Sequence, residues 1–253
     1  VLVTVLLAVV VLLAFVVEAT AGFGATIVTV TLASHFVPIE EVLAAFLPVN
    51  VLLSAYLTLR HWRAVDTRLL LGRVVAWMGP GMGIGIGLFA LRGQGWIRTV
   101  FAAFVVVLAS LELRRALRRG ASGDGGAPPA LSAPVAAASL VGAGVVHGLF
   151  ACGGPMLVYV VGRELADKAR FRATLSAVWL LLNLVLLVTY AVSGTLDAGT
   201  LRASATMLVS LVVGLVVGEQ LHRRLPERAF RIAVFALLLF AGGALLVRSA
   251  LGA

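Results

Sequence analysis

Charge, cysteine and lysine are all scarce in this chain. Charged residues fill 12% of its 253 positions, where a soluble domain carries about a quarter, so a water-soluble globular fold is excluded. One cysteine, Cys152, rules out an intrachain disulfide and a cysteine-built metal cluster. The single lysine, Lys168, follows Ala166-Asp167 rather than a glycine-rich loop. No Walker A phosphate loop exists, so ATP hydrolysis by this chain is not the energy source. Four histidines are scattered without metal-ligand spacing, and no cofactor is expected. Acidic residues number 11 against 20 basic ones. The +9 balance is nonetheless not read as nucleic-acid binding, because the arginines flank apolar spans and orient them against a membrane. The first residues are apolar, without a basic stretch or a small-residue cleavage site, so no cleaved signal peptide is expected.

What is present is apolar. Hydrophobic residues make up 61% of the chain and the mean hydropathy is +1.10. Runs long enough to cross a bilayer, about 18 residues or more, recur throughout. The chain reads as an all-α polytopic membrane protein of eight segments. The first spans residues 1 to 34 and is broken at Gly22-Phe23-Gly24. The second opens at Pro38 and ends near Arg60; the third covers about 68–91 and the fourth about 96–113. A Gly/Ser/Pro/Ala-rich linker follows over 120–134. Segments five to eight cover about 135–162, 173–192, 200–218 and 229–246, the fifth broken near Cys152-Gly153-Gly154-Pro155.

The second half repeats the plan of the first. Glu18 aligns with His147, Gly24 with Gly153, Thr26 with Pro155, Phe46 with Trp179 and Asn50 with Asn183. Gly83 and Gly87 align with Gly214 and Gly218. Preserved order across all these matches indicates a four-element duplication, residues 1–119 and 135–253 joined by 120–134. If every segment simply spans, ten of the twenty basic residues face the cytoplasm. If segment five instead turns back, four groups of four do so: Arg60/63/68/73, Arg114/115/118/119, Arg163/Lys168/Arg170/Arg172 and Arg223/224/228/231. Sixteen of twenty inside satisfies the positive-inside rule, so segment five is expected to be a re-entrant hairpin. By symmetry segment one is a hairpin from the opposite face, which makes the repeats inverted.

Non-helical backbone at membrane depth is tolerated where it is buried in protein or lines a wet cavity. Helices starting near Ala25-Thr26 and at Pro155 aim free N–H groups and positive dipole ends into the breaks, which favours an anion. The candidate substrate-binding residues are Thr20, Gly22, Gly24, Thr26, Asn50, His147, Cys152, Gly153, Gly154, Pro155 and Asn183. The anion is expected between the two broken-helix N-termini near the midplane. Glu18 and His147 are the ionisable residues expected deep in the membrane, which makes them proton-coupling candidates. A fixed negative Glu18 would repel an anion, so its neutral form suits an anion site. Asn50 and Asn183 either line the path or bond across helices. Phe46 and Trp179 are gate candidates, with packing as their plainer role. Gly83xxxGly87 and Gly214xxxGly218 read as helix-packing motifs, and a homodimer through those segments is a further expectation.

With these residues in view, the chain resembles the TauE/SafE family of sulfite and organosulfonate exporters. The likeness covers essentially the whole chain. It rests on the two four-helix halves, each opened by a glycine-broken segment: Ala21-Gly22-Phe23-Gly24-Ala25-Thr26 and Ala151-Cys152-Gly153-Gly154-Pro155. Family members carry a denser glycine run in the first copy than this chain, where Phe23 and Ala25 intervene. The resemblance implies a secondary transporter in the cytoplasmic membrane that exports small sulfur-containing anions such as sulfite, sulfoacetate or a related organosulfonate. Competing readings are a cation or metal transporter using Glu18, His147 and Cys152, a membrane-embedded enzyme, and a structural subunit. The hairpin makes a direct prediction. Single cysteines placed near Ala133 and near Asp167 should be labelled from the same face, and labelling from opposite faces would exclude it.

Overall fold

The computed structural model describes residues 2–21, 24–90, 96–118, 131–165, 167–224 and 227–251. All regular structure among them is helical. Seven helices are long and apolar enough to cross a membrane. In chain order the helices are α1 (Leu2–Ala21), α2 (Ala25–Ala33), α3 (Ile39–Arg60), α4 (Thr67–Leu69), α5 (Ala76–Ala90), α6 (Trp96–Arg118), α7 (Ala133–Phe150), α8 (Gly154–Glu164), α9 (Lys168–Val192), α10 (Ala198–Arg224) and α11 (Glu227–Ala250). A π-helical turn, Leu70–Val75, joins α4 to α5, so Thr67–Ala90 is one span. Both expected breaks are present, between α1 and α2 and between α7 and α8. Most of the expected linker lies outside the described residues, and its last two positions, Ala133 and Pro134, already belong to α7. Gly22 and Phe23 also lie outside them.

Helix boundaries follow local chemistry. Glu40 and Glu41 occupy the first turn of α3, where negative charge complements the dipole. Asp66 and Asp167 cap α4 and α9, their carboxylates accepting from the Leu69 and Arg170 amides at 2.9 and 2.7 Å. The chain falls into two compact units, residues 1–46 with 93–125 and 202–253, and residues 47–92 with 126–201. Each unit draws on both halves of the sequence.

In the second unit α5 and α7 run side by side in the same direction. A Cβ on Gly81 would meet the Val141 carbonyl oxygen, and one on Gly85 the Val145 carbonyl oxygen. Reciprocally, Cβ atoms on Gly144 and Gly148 would meet the carbonyl oxygens of Met78 and Met82. Two small-xxx-small stripes therefore interlock backbone to backbone, the contact that replaces hydrophobic drive between membrane helices. The chain then returns. Glu164, closing α8, pairs with Arg73 at 2.9 Å. Arg170, opening α9, pairs with Asp66 at 2.8 Å, whose amide donates to Thr174 Oγ1 at 2.9 Å. Such half-exposed pairs contribute only about 0–1 kcal/mol each, yet they fix topology. Since α7 runs away from the Asp66 end alongside α5, and α8 ends back beside Arg73, the two form a hairpin.

The first unit is built on the same logic. Ser210 Oγ donates to Ala8 O at 2.9 Å. Cβ atoms on Gly214 and Gly218 would meet Phe15 and Leu12, and Ala19 and Val16, so α1 and α10 are parallel. Ser204 Oγ donates to Ala45 O at 2.7 Å, which puts the start of α3 beside the start of α10. The chain thus leaves that end in α1 and is back there when α3 begins, so α1 and α2 form a hairpin as well. His35, just beyond α2, bonds Ala241 O through Nε2 at 3.1 Å, and its carbonyl accepts from Arg248 at 2.6 Å. Helices α6 and α11 are antiparallel, Val105 against Gly242 and Thr99 bonded to Ser249.

One packing expectation needs correction. Gly83 and Gly87 face open space, and the close approach is made by Gly81 and Gly85. Overpacking of this kind costs about 1–3 kcal/mol, while an open surface position changes stability by less than about 0.5 kcal/mol. Gly85→Ala should therefore lower the thermal unfolding midpoint of the purified protein clearly, and Gly83→Ala should leave it in place.

Candidate functional site

Each unit carries one break, and the two differ in how they are finished. In the first, α2 starts at Gly24, whose φ of 112° lies in the left-handed region that suits glycine. Gly24 offers no side-chain cap. The vacant role falls to Glu18, three residues before the end of α1: its Oε2 accepts from the Ala25 amide at 3.0 Å. Glu18 is 8% exposed, and no basic side chain pairs with it among the described residues. Thr20 is also engaged, its hydroxyl donating to Val16 O at 2.7 Å and to Gly218 O at 3.2 Å. Thr26 is buried in the first turn of α2. Phe46 stacks on Phe15 with centroids 5.4 Å apart and is buried in the core of that unit. Gly22 lies outside the described residues.

In the second unit α7 ends on Ala151, held at φ 52°. Left-handed backbone costs a non-glycine residue about 1–2 kcal/mol, and such strain tends to collect at functional sites. The chain passes through Cys152, a buried free thiol, and restarts at Gly154-Pro155, with Gly153 as cap position and no side-chain cap. Pro155 fits the first turn because its missing N–H costs nothing there. A Cβ on Gly153 would run into the Ala143 carbonyl oxygen and lie 3.1 Å from the His147 Cβ, so glycine alone lets the turn close against α7.

His147 is fully buried one turn before the break, 0% exposed, and Asn183 on α9 is 1% exposed. The imidazole stacks on Trp179, centroids 5.6 Å apart and planes 19° from parallel. Asn183 faces the imidazole without closing a well-formed hydrogen bond. Both ring nitrogens of His147 and both polar atoms of the Asn183 amide therefore lack a hydrogen-bond partner. Leaving a buried polar group unpaired costs about 1–3 kcal/mol, so such a set calls for an explanation in a folded protein. These unpaired atoms belong to the same unit as the start of α8, whose cap position Gly153 packs against His147.

The candidate residues are thus sorted by the fold. His147, Gly153, Trp179 and Asn183 come together in one unit, and Glu18 joins the start of α2 in the other. Asn50 is buried on α3. Two residues escaped the sequence reading: Ser54 and Thr58, four and eight positions after Asn50, carry shielded hydroxyls without a partner. With Asn50 they form a polar stripe on one face of α3. Its signal was the spacing of four, hidden because single Ser and Thr residues are common in membrane helices. Among the described residues no three of His, Cys, Asp and Glu gather to hold a metal.

The sulfite exporter TauE/SafE family model matches residues 7–245. A protein of Comamonas testosteroni described as a probable inner membrane transporter protein, TsaS, is 26% identical over 183 residues, which cover 72% of this chain and 71% of that protein. No solved structure matches the chain.

Proposed function

The chain belongs to the sulfite exporter TauE/SafE family, and on that premise we propose that it exports a small sulfur oxyanion bound at the break between α7 and α8. It is a multi-pass membrane transporter, not an enzyme. The observation that carries the site is the set of four unpaired polar atoms on His147 and Asn183. The imidazole N–H and the two amide hydrogens of Asn183 are donors, and the first-turn amides of α8 add the dipole end that favours an anion. Sulfite and an organosulfonate present the same array of oxygens to such donors, so either suits them. Trp179 fixes the plane of the imidazole by stacking, which makes it the gate candidate closest to the anion. Asn50, Ser54 and Thr58 would line the route along α3. His147 is also the side chain we assign to any coupled proton, because its ring nitrogens are not committed to the protein.

We read the basic end of each unit as cytoplasmic. In the first unit that end carries Arg114, Arg115, Arg118, Arg223, Arg224, Arg228 and Arg231, against Arg98, Arg202 and Arg248 at the other. In the second it carries the residues from Arg60 to Arg73 and from Arg163 to Arg172. On this reading α1 enters from outside and α7 from the cytoplasm, the inverted plan expected from the sequence. The contacts of the glycines support the duplication itself. Leu12, Val16 and Ala19 meet Gly214 and Gly218, and Val141, Val145 and Gly148 meet Gly81 and Gly85. The first set of positions is 129 residues from its counterpart, as Glu18 is from His147, and Gly81 is 133 residues from Gly214, as Asn50 is from Asn183. The proposed homodimer is assigned to the outer face of α5, where Gly83 and Gly87 lie open.

Sulfite flux into or out of proteoliposomes tests the site. Asn183→Leu removes an unpaired amide at nearly constant volume, so stability should hold or rise by about 1 kcal/mol while flux falls roughly tenfold or more, equivalent to about 1.4 kcal/mol in the barrier. His147→Phe keeps the stack on Trp179 and should behave alike. Unchanged flux in both variants would sink the proposal.

A further inference from the structure

The two breaks occupy matching places in the repeat, yet the residues at the matching position face opposite situations. His147 keeps both ring nitrogens unpaired. Its counterpart Glu18 sends a carboxylate oxygen 3.0 Å from the Ala25 amide, at the start of a nine-residue helix. Glu18 is more than nine-tenths buried, and among the described residues nothing basic forms an ion pair with it. A buried carboxylate without a cation is expensive, and a helix N-terminus, equivalent to about half a positive charge, is the compensating group in reach. The arrangement is that of an anion bound at a helix terminus, except that the anion is part of the chain. Its position is over-determined: α1 is locked to α10 by Gly214 and Gly218 and by Thr20, whose hydroxyl reaches the Gly218 carbonyl, so the carboxylate is delivered from a fixed support.

We propose that Glu18 is a built-in anion, its carboxylate filling at the first break the place that a free anion would take at the start of α2. The first break is then a positioning site that sets the angle of the hairpin, and one exogenous anion, not two, is accommodated per chain. The assignment to the first break does not depend on which substrate the protein carries; only the count of one rests on the transport reading.

Chemical rescue distinguishes this from an ordinary packing role. Glu18→Ala leaves the start of α2 without its anion, and the purified variant should unfold several degrees below the parent. Formate should raise its unfolding midpoint back toward the parental value, whereas formamide, of the same shape but uncharged, and chloride at matched ionic strength should do so weakly or not at all. The parent should respond to none of them. If formate leaves Glu18→Ala unmoved, or formamide matches it, the built-in anion is wrong. Should Glu18→Ala not fold, Glu18→Gln decides. That variant keeps an acceptor for the Ala25 amide but loses the charge, and it should melt below the parent without regard to formate. Glu18→Gln as stable as the parent would overturn the proposal. Sulfite flux is not measured in any arm, so this outcome and that of the transport assay are read separately.

Discussion

Within a bilayer a backbone amide has no water to turn to, so a helix can stop at membrane depth only where something else receives its loose ends. That constraint governs both breaks. At the first, the Ala25 amide is met by the Glu18 carboxylate, and Gly24 supplies the positive φ that brings α2 round. At the second, the turn is closed by Gly153 lodged against the Ala143 carbonyl and by Ala151 in a costly conformation. The cap position of α8 is Gly153, which offers no side-chain cap. Everything proposed for the protein turns on that difference between a finished helix end and an unfinished one.

The hairpins also need rigid supports, since a half-helix with uncapped ends has little stability of its own. Both first arms obtain support in the same way, through glycines of a neighbouring helix that admit backbone contact. Gly81 and Gly85 hold α7, and Gly214 and Gly218 hold α1. Each first arm also touches its own half, α1 through Phe15 on Phe46 and α7 through His147 on Trp179, but the backbone-to-backbone support comes from the other half. The compact units therefore cross the sequence halves, and the residues 1–119 and 135–253 read as repeats in sequence are interwoven in contact. Ion pairs such as Arg73–Glu164 and Arg170–Asp66 add little energy, but they tie the end of α8 to the turn after α4 and the start of α9 to the cap of α4.

The breaks were legible because glycine, proline and ionisable residues contrast sharply with Val, Leu and Ala. The eight segments and their order were equally plain, and the fourth, sixth, seventh and eighth run a few residues longer than expected because their ends are polar, not apolar. The register of the third segment was not legible. Gly79, Gly81, Gly83, Gly85 and Gly87 alternate along it, so two stripes of spacing four overlap, and only a neighbouring carbonyl distinguishes Gly81 and Gly85 from Gly83 and Gly87. The corrected pairing shares the offset of the Asn50–Asn183 pair, which a search for consistent offsets would have found. Hydrogen-bond commitment lies further out of reach. Nothing in the sequence says that Thr20 is spent on Gly218 while Asn183 is unspent.

Two anion sites in one chain would each require a negative charge to be taken out of water, and each such burial is costly. On the proposed reading, glutamate at the first break and histidine at the second spare the chain one of these costs. At the first break the proposal gives the place of the anion to the Glu18 carboxyl, which accepts from the Ala25 amide and stays with the chain. At the second, His147 and Asn183 would offer donors without a fixed full positive charge, and an anion held only by such donors and a helix dipole can still leave. Release matters as much as capture for a carrier. An arginine at the position of His147 would bind more tightly and discharge more slowly, so a neutral, donor-rich wall beside an unfinished helix end is the chemistry that transport of a small anion requires.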